Sequence, residues 1–414
     1  MVLRIVAILL LMAVNLQAFS QDTLKVMFYN ILRFPETGAA NRVDEFRTIF
    51  QYEKPDVLLV CELNSEAGAD MILNQALNVF GTTHYDRATF EANSTGGDIT
   101  NLVFYNSDKL GLVRENNLAT NRRDIGIYLF YHKDPMLAVH QDTAYIDFWT
   151  THLKAGSSSS DQNQRRTTAL QFVQFVNILT PEPYRLFSGD FNMRSSNEEA
   201  WGIIAGNANQ DFHDPIDELG TWHNNINFAE LHTQSPRTTS FGEGANGGMD
   251  DRFDFILISD QIEADNGRVR YIPDTYRALG NDGNHYNTAI NNGINLSAPD
   301  SVIQAIHDAS DHLPVVLDLE IMPGVITNVQ EINDKAAFEL YPNPALEQLV
   351  VEGRFESDVQ LIISNSLGEI VMTKLVSGGF SSLPVNIGHL NPGNYFLTLD
   401  NNEQRSTRRF VKLD

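Results

Sequence analysis

Cysteine is almost absent: Cys61 stands alone in 414 residues. No intramolecular disulfide can form, and no cysteine follows the N-terminal apolar stretch to carry a lipid, so stability has to come from a buried core. Basic residues are scarce too, 29 Lys and Arg against 53 Asp and Glu, for a formal net charge of -24. That balance argues against a broad basic surface that holds nucleic acid. It leaves room for an enzyme that acts on nucleic acid, because a bound cation and a few arginines can make a cleft locally positive and turnover needs release as well as binding. Long apolar runs are missing beyond the N-terminus. The run Ile5 to Val14 is well short of the roughly 20 residues that span a bilayer. With Arg4 before it and Ala18-Phe19-Ser20 after it, residues 1–20 read as an export signal cleaved before Gln21, and no stable membrane span is expected.

What is present suffices for one large domain and a small one: 42% of the residues are hydrophobic and 10% aromatic. Several apolar runs end in a polar residue with chemical potential. Tyr184-Arg185-Leu186-Phe187 reads as a buried strand leading into Ser188-Gly189-Asp190-Phe191-Asn192, with Gly189 expected to end it in a tight turn. Two residues apart on a pleated strand, Asp190 and Asn192 are expected to share a face, a carboxylate that can orient a water beside an amide that can donate to a phosphoryl oxygen. Leu24 to Phe28 delivers Asn30. Val57 to Cys61 delivers Glu62, where an unpaired carboxylate is a costly choice for packing, so a metal ligand is preferred to a solvated strand end. Tyr145 to Thr150 delivers His152. Asp254 lies inside the apolar run Phe253 to Ile258 and needs a partner, for which a histidine held in one tautomer is suited. Ser310-Asp311-His312 precedes the closing strand Val315 to Ile321.

Helices are predicted over Arg42 to Tyr52, Ala67 to Asn78 and Asp161 to Leu179. Arg122-Arg123 reads equally as an exposed loop or as a phosphate contact. The polar stretch 262–301 reads as an insertion or an extended surface loop.

Taken in order, Asn30, Glu62, His152, Gly189-Asp190-Phe191-Asn192, Asp254 and Ser310-Asp311-His312 resemble the motif series of the endonuclease/exonuclease/phosphatase superfamily, the deoxyribonuclease I-like fold, across 22–321. The resemblance implies an α/β architecture, a four-layer sandwich of two packed mixed sheets flanked by helices. It also implies site roles: Glu62, Asn30 and Asp311 as metal ligands, Asp190 and Asn192 as the water-orienting and phosphate-binding pair, His312 fixed by Asp254, and His152 as a second imidazole often cast as general acid. One departure is plain, since the apurinic-site repair branch has an aspartate where this chain has Leu32. Oxygen ligands favour a hard cation, Mg²⁺ or else Mn²⁺ or Ca²⁺. The expected activity is a secreted, metal-dependent phosphodiesterase, foremost an endonuclease on extracellular DNA or RNA. Alternatives are a phosphatase or sphingomyelinase-like phospholipase on the same scaffold, or a non-catalytic surface binding module.

From Phe338 the composition changes to short alternating strands separated by Asn/Gly/Pro turns, which predicts a small β-sandwich over 338–414 behind a linker at 322–337. Its Tyr341-Pro342-Asn343-Pro344 opening, Gly393-Asn394-Tyr395 and basic ending Arg408-Arg409-Phe410-Val411-Lys412 resemble the C-terminal sorting domain of type IX secretion. That resemblance implies handling by the type IX secretion machinery and a secreted or cell-surface location.

Overall fold

The apolar runs become the strands of two mixed sheets. In the computed structural model, which describes residues 22–36, 42–178, 184–205, 212–263, 267–324, 338–355, 357–366, 368–400 and 405–414, the first sheet holds β1 (Asp22–Phe34), β2 (Val57–Leu63), β3 (Tyr85–Arg87) and β4 (Thr100–Asn106). The second holds β5 (Leu110–Leu118), β6 (Ile125–His132), β7 (Tyr145–His152), β8 (Tyr184–Asp190), β9 (Phe212–His213) and β10 (Asp254–Ser259). Late in the unit β11 (Val269–Tyr271), β12 (Arg277–Ala278) and β13 (Val315–Ile321) return to the first sheet. The orders are β11-β13-β1-β2-β4-β3, with β12 also on β13, and β5-β6-β7-β8-β10-β9.

Period-two alternation sets the layers. On β7, Ile146 and Phe148 face the other sheet and join one core with Leu186, Ile256, Val26 and Phe28. Trp149, Phe187 and Phe255 face outward, where α3 (Ser159–Val176) covers them with Ala169 and Phe172 and α4 (Glu199–Ile204) with Trp201. Helices α1 (Val43–Glu53), α2 (Glu66–Met71) and α5 (Asp300–Ala309) belong to the first sheet's side, their apolar residues Phe46, Ile49, Ala69 and Ile306 contributing to the core that contains β1 and β2. The result is the expected four-layer α/β sandwich.

Several local readings change. Helix α3 begins at Ser159 because Ser158 caps it: its Oγ accepts from Asp161 N at 3.2 Å while Asp161 Oδ2 accepts from Ser158 N at 3.1 Å. The predicted second helix ends earlier as an α-helix and continues as a π-helical segment, Ile72–Leu77. Stretch 262–301 is no plain insertion, since β11 and β12 pair with β13 and Leu279 and Ile290 are buried. Trp201 and Trp222 pack on Phe255, with ring centroids 5.1 and 5.2 Å away, and so serve the core. No strand was legible in 110–118, an edge strand whose polar run Arg114-Glu115-Asn116-Asn117 hides the alternation.

The chain divides into two units, Met1–Ile326 and Thr327–Asp414. The expected export signal lies outside the described residues, as does most of the expected linker. Residues 322–324 are described and continue the first unit, Met322 N donating to Arg268 O at 2.7 Å and Arg268 Nε to Met322 O at 3.1 Å. In the second unit β14 (Glu339–Tyr341), β15 (Gln348–Phe355) and β18 (Phe380–Asn386) form one sheet, and β17 (Ile370–Val376), β16 (Val359–Asn365), β19 (Gly393–Asp400) and β20 (Arg405–Lys412) another. Leu349, Val351, Leu361, Ile363, Leu397 and Phe410 fill its core.

Gly189 also differs from expectation. It sits inside β8 opposite Thr151 of β7, and a Cβ there would lie 2.4 Å from Thr151 O and 2.6 Å from Thr151 Cγ2. Close approach of two strands, not a turn, requires the glycine. Gly189→Ala is therefore expected to lower unfolding free energy by about 2 kcal/mol or more. Gly202→Ala, inside α4 with open space around it, is expected to be neutral or to gain about 0.5–1 kcal/mol. Urea denaturation of both variants checks this, and equal stabilities would contradict the strand-spacing argument.

Candidate active site

Both sheets change from apolar to polar at the same end. His152, Asp190 and Asp254 are register partners across β7, β8 and β10, so all three emerge on the inner face that Phe148, Leu186 and Ile256 occupy deeper in the core. From the first sheet come Asn30 of β1, Glu62 of β2, and Asp311 and His312 on the turn between α5 and β13. All eight residues expected at the site converge there. A cavity of about 590 Å³ is lined by Glu62, His152, Asp190, Asn192, Asp311 and His312, while Asn30 and Asp254 stand behind its wall.

Local backbone geometry aims these groups. Glu62 lies within β2, not at its end, at a shift of register against β4, and its φ of 62° turns the carboxylate into the cavity. Asn192 reaches the same space by a turn rather than by the pleat: its φ is 52° and its N–H donates to Asp190 Oδ1 at 3.0 Å. Its amide Nδ2 donates to Leu153 O at 3.3 Å.

Hydrogen bonds tie the set together. Asn30 Nδ2 donates to Glu62 Oε1 and to Asp190 Oδ2, each at 3.1 Å, while its Oδ1 accepts from Leu32 N at 3.0 Å. Asn30, expected as a metal ligand, turns its donor side toward both carboxylates and holds them, while its oxygen accepts from the backbone. His312 Nδ1 lies 2.7 Å from Asp254 Oδ2, and Ser310 Oγ, which donates to Asn30 O, anchors the turn that carries His312. Gln234 Nε2 lies 2.7 Å from His312 Nε2 and 3.4 Å from Asp311 Oδ2. His152 stands between carboxylates, Nδ1 3.7 Å from Glu62 Oε1 and Nε2 3.4 Å from Asp190 Oδ2.

Burial and crowding set the charges. Burial pushes Asp190 up to about 8, with Asp254 and Glu62 adding to the rise against His312 and Asn30. Glu62 is also raised, first by burial and then by Asp311 across the cavity. Burial opposes a charge on His312, yet Asp254, Asp311 and Asp190 outweigh it and raise the ring well above its ordinary value. His152 goes the other way, held neutral by burial and then by Arg123 and His312.

The donor set fits a hard divalent cation. Glu62, His152 and Asp190 bring ligand atoms within 4.8 Å of one another, as do Asp190, Asp254 and His312. The buried Oδ1 of Asp311 has no hydrogen-bond partner, while its Oδ2 is held by Ala245 N at 2.6 Å. Carboxylates that raise each other's proton affinity, with one oxygen left over, are chemically suited to Mg²⁺.

Some residues lining the cavity escaped the sequence reading. Gln234 gave no signal. His223 Nδ1 and Asp251 Oδ1 are 2.7 Å apart, and both side chains line the same cavity with Asp250. The Asp250-Asp251 pair stands just before the run that pointed to Asp254, so position offered the only clue. Arg123, left open from sequence, lines the cavity and donates to Leu153 O at 3.1 Å, whereas Arg122 is exposed and does not line it.

A carboxyl group whose folded value lies near 8 keeps its proton in the folded state between about pH 4, where the unfolded group titrates, and about pH 8. The stability it contributes is fully present below about pH 4 and is lost as pH rises to about 8. Asp190→Asn is thus expected to raise the Tm of the metal-free protein at pH 8 and to change it little at pH 4, with Mg²⁺ stabilising only the unaltered protein strongly. Thermal denaturation in EDTA and in Mg²⁺ tests this; a variant less stable at pH 8 would contradict the assignment.

Residues 339–413 match the family described as "Secretion system C-terminal sorting domain". No curated protein matches the chain. Among solved structures, D. rerio TDP2 complexed with single-strand DNA product is 13% identical, with a TM-score of 0.48 over 72% of this chain and 99% of that one. An endonuclease/exonuclease/phosphatase family protein of Bacteroides thetaiotaomicron is 16% identical (TM-score 0.44, 73% of this chain, 97% of that one). A mannosyl-6-phosphatase of the same organism is 14% identical (TM-score 0.41, 72% and 99%). The chain thus joins a C-terminal segment that matches the secretion system sorting family to a larger unit similar to solved endonuclease/exonuclease/phosphatase proteins.

Proposed function

We propose that this protein is an exported, divalent-cation-dependent phosphoric ester hydrolase whose substrate is the phosphodiester backbone of extracellular DNA or RNA. The observation that carries this reading is the joint placement of a buried Asp254–His312 pair, 2.7 Å apart, beside the carboxylates of Asp190 and Glu62 in one cavity. Hydrolysis of a phosphodiester needs an oriented water, donors on the non-bridging oxygens and compensation of transition-state charge. Asp190 Oδ2, 3.7 Å from His312 Nε2, orients the water. Asn192 donates to the phosphoryl oxygens, and the charged His312 does so through Nε2 once the substrate displaces the Gln234 amide that lies 2.7 Å from it. Asp254 keeps the His312 ring in one orientation and stabilises its charge, and Asn30 fixes the spacing of Glu62 and Asp190. Glu62 and Asp311, with Asp190 or His152, would hold a cation such as Mg²⁺. When bound, the cation supplies Lewis-acid polarisation of the phosphoryl group. The match of 339–413 to a secretion sorting domain supports export to the cell surface or medium, with the type IX machinery as partner.

One feature of the cavity favours a second reading. Asp250 and Asp251 line it side by side, better suited to a neutral, hydroxyl-bearing leaving group than to phosphate, as in a phosphatase acting on a sugar phosphate.

The purified full-length chain would be incubated with plasmid DNA, RNA, bis(p-nitrophenyl) phosphate and a sugar monophosphate, in Mg²⁺ and in EDTA. Cleavage of plasmid or RNA that EDTA abolishes is expected, and Glu62→Gln is expected to lower kcat at saturating Mg²⁺ by about 100-fold or more. Release of phosphate from the monoester alone would favour the second reading, and unchanged activity in Glu62→Gln would sink the ligand role.

A further inference from the structure

A second hollow of about 440 Å³ shares Arg33, Ile99 and Arg123 with the catalytic cavity, so the two are neighbours with a common wall. Its charged lining is Arg33, Asp98, Arg122 and Arg123. Arg33 is neutralised, pairing with Asp98 and with Glu243 at 3.1 Å. The other two cations are not. Arg123 donates only to the carbonyls of His152 and Leu153, at 3.4 and 3.1 Å, and among the described residues no carboxylate lies in ion-pair contact with Arg122 or Arg123. Burial lowers the proton affinity of Arg123, and Arg122 lowers it further against the pull of Glu62.

In this chain of net charge -24, Arg47, Arg87, Arg165, Arg252, Arg268 and Arg277 have carboxylate partners, whereas Arg122 and Arg123 do not. Neither arginine supports the fold by an ion pair. A planar guanidinium presents several donors matched to phosphate oxygens. Elsewhere the catalytic cavity is lined by Asp250 and Asp251 with His223 and Arg194 near them, while Glu243 pairs with Arg33 on the shared wall. Arg122 and Arg123 thus give the second hollow two cations that no carboxylate balances by an ion pair among the described residues.

We infer that this hollow is a subsite for a second phosphate, bound by Arg122 and Arg123 and adjoining the phosphate hydrolysed beside His152 and Asp190, so that the substrate is a nucleic-acid strand and not an isolated ester. This rests on the phosphoesterase reading above. Arg122 is exposed and contributes to specificity by contact with substrate, without touching the reacting atoms.

The test uses the full-length chain in Mg²⁺ with two substrates, a single-stranded oligonucleotide and bis(p-nitrophenyl) phosphate, which has one phosphate only. Arg122→Ala, Arg122→Lys and, as a control for loss of one exposed charge outside both hollows, Arg114→Ala are compared. Arg122→Ala is expected to lower kcat/KM on the oligonucleotide about tenfold more than on the chromogenic ester, chiefly through KM, as befits one lost charge-assisted contact. Its log–log salt dependence on the oligonucleotide is expected to become shallower by about 0.7, and Arg122→Lys to recover most of both effects. Equal losses on the two substrates, or an effect no larger than that of Arg114→Ala, overturn the subsite while leaving the hydrolase reading in place. Failure of the unaltered protein to hydrolyse either substrate overturns that reading, and the subsite falls with it.

Discussion

The pairing of Asp254 with His312 joins the two sheets at their functional end. Asp254 opens β10 of the second sheet and is fully buried, and His312 sits just before β13 of the first. A carboxylate at that depth without compensation would destabilise the fold by several kcal/mol, and removing one partner of such a pair typically costs about 3–5 kcal/mol. Charge on His312 solves this for Asp254 and in turn supports the neighbouring carboxylates of Asp190 and Asp311. Asn30 adds a neutral link of the same kind, reaching from β1 to Asp190 of β8. Function and architecture therefore draw on the same few contacts, since the groups suited to phosphate chemistry also close the space between the sheets.

That space explains why the candidate site could be read in advance while its surroundings could not. Columns such as Ile146-Phe148-Thr150-His152 keep a period of two to the last residue, so a polar group at the end of an apolar run announces both a strand and a buried polar position. Asp254, Glu62 and His152 were visible for that reason. Roles that depend on which atom faces where were not. That Asn30 would donate to two carboxylates while its oxygen accepts from the Leu32 amide is one such role. Glu62 owes its aim to a positive φ inside β2, and Gly189 owes its place to Thr151 across the ladder, neither of which a local pattern encodes. The edge strand β5 and the short strands β11 and β12 were hidden because partners distant in sequence, not their own periodicity, define them.

Electrostatically the chain works against its overall charge. Acidic residues dominate, yet around the cavity acids are either balanced, as Asp254 is by His312, or crowded enough to favour a divalent cation, as Glu62, Asp190 and Asp311 are. Positive charge is local and sparse. Under the proposed function, a net-acidic protein of this design would gain affinity for a polyanion from a few placed cations and release product readily.

The most direct test of this account is a double-mutant cycle on Asp254 and His312, with alanine at each and at both, read as kcat/KM on bis(p-nitrophenyl) phosphate in Mg²⁺. If the two act as one unit, the double variant loses little more than the worse single variant, because groups in one hydrogen-bonded network are non-additive. Losses that multiply across the two positions would mean that His312 works without Asp254 and would contradict the central pairing.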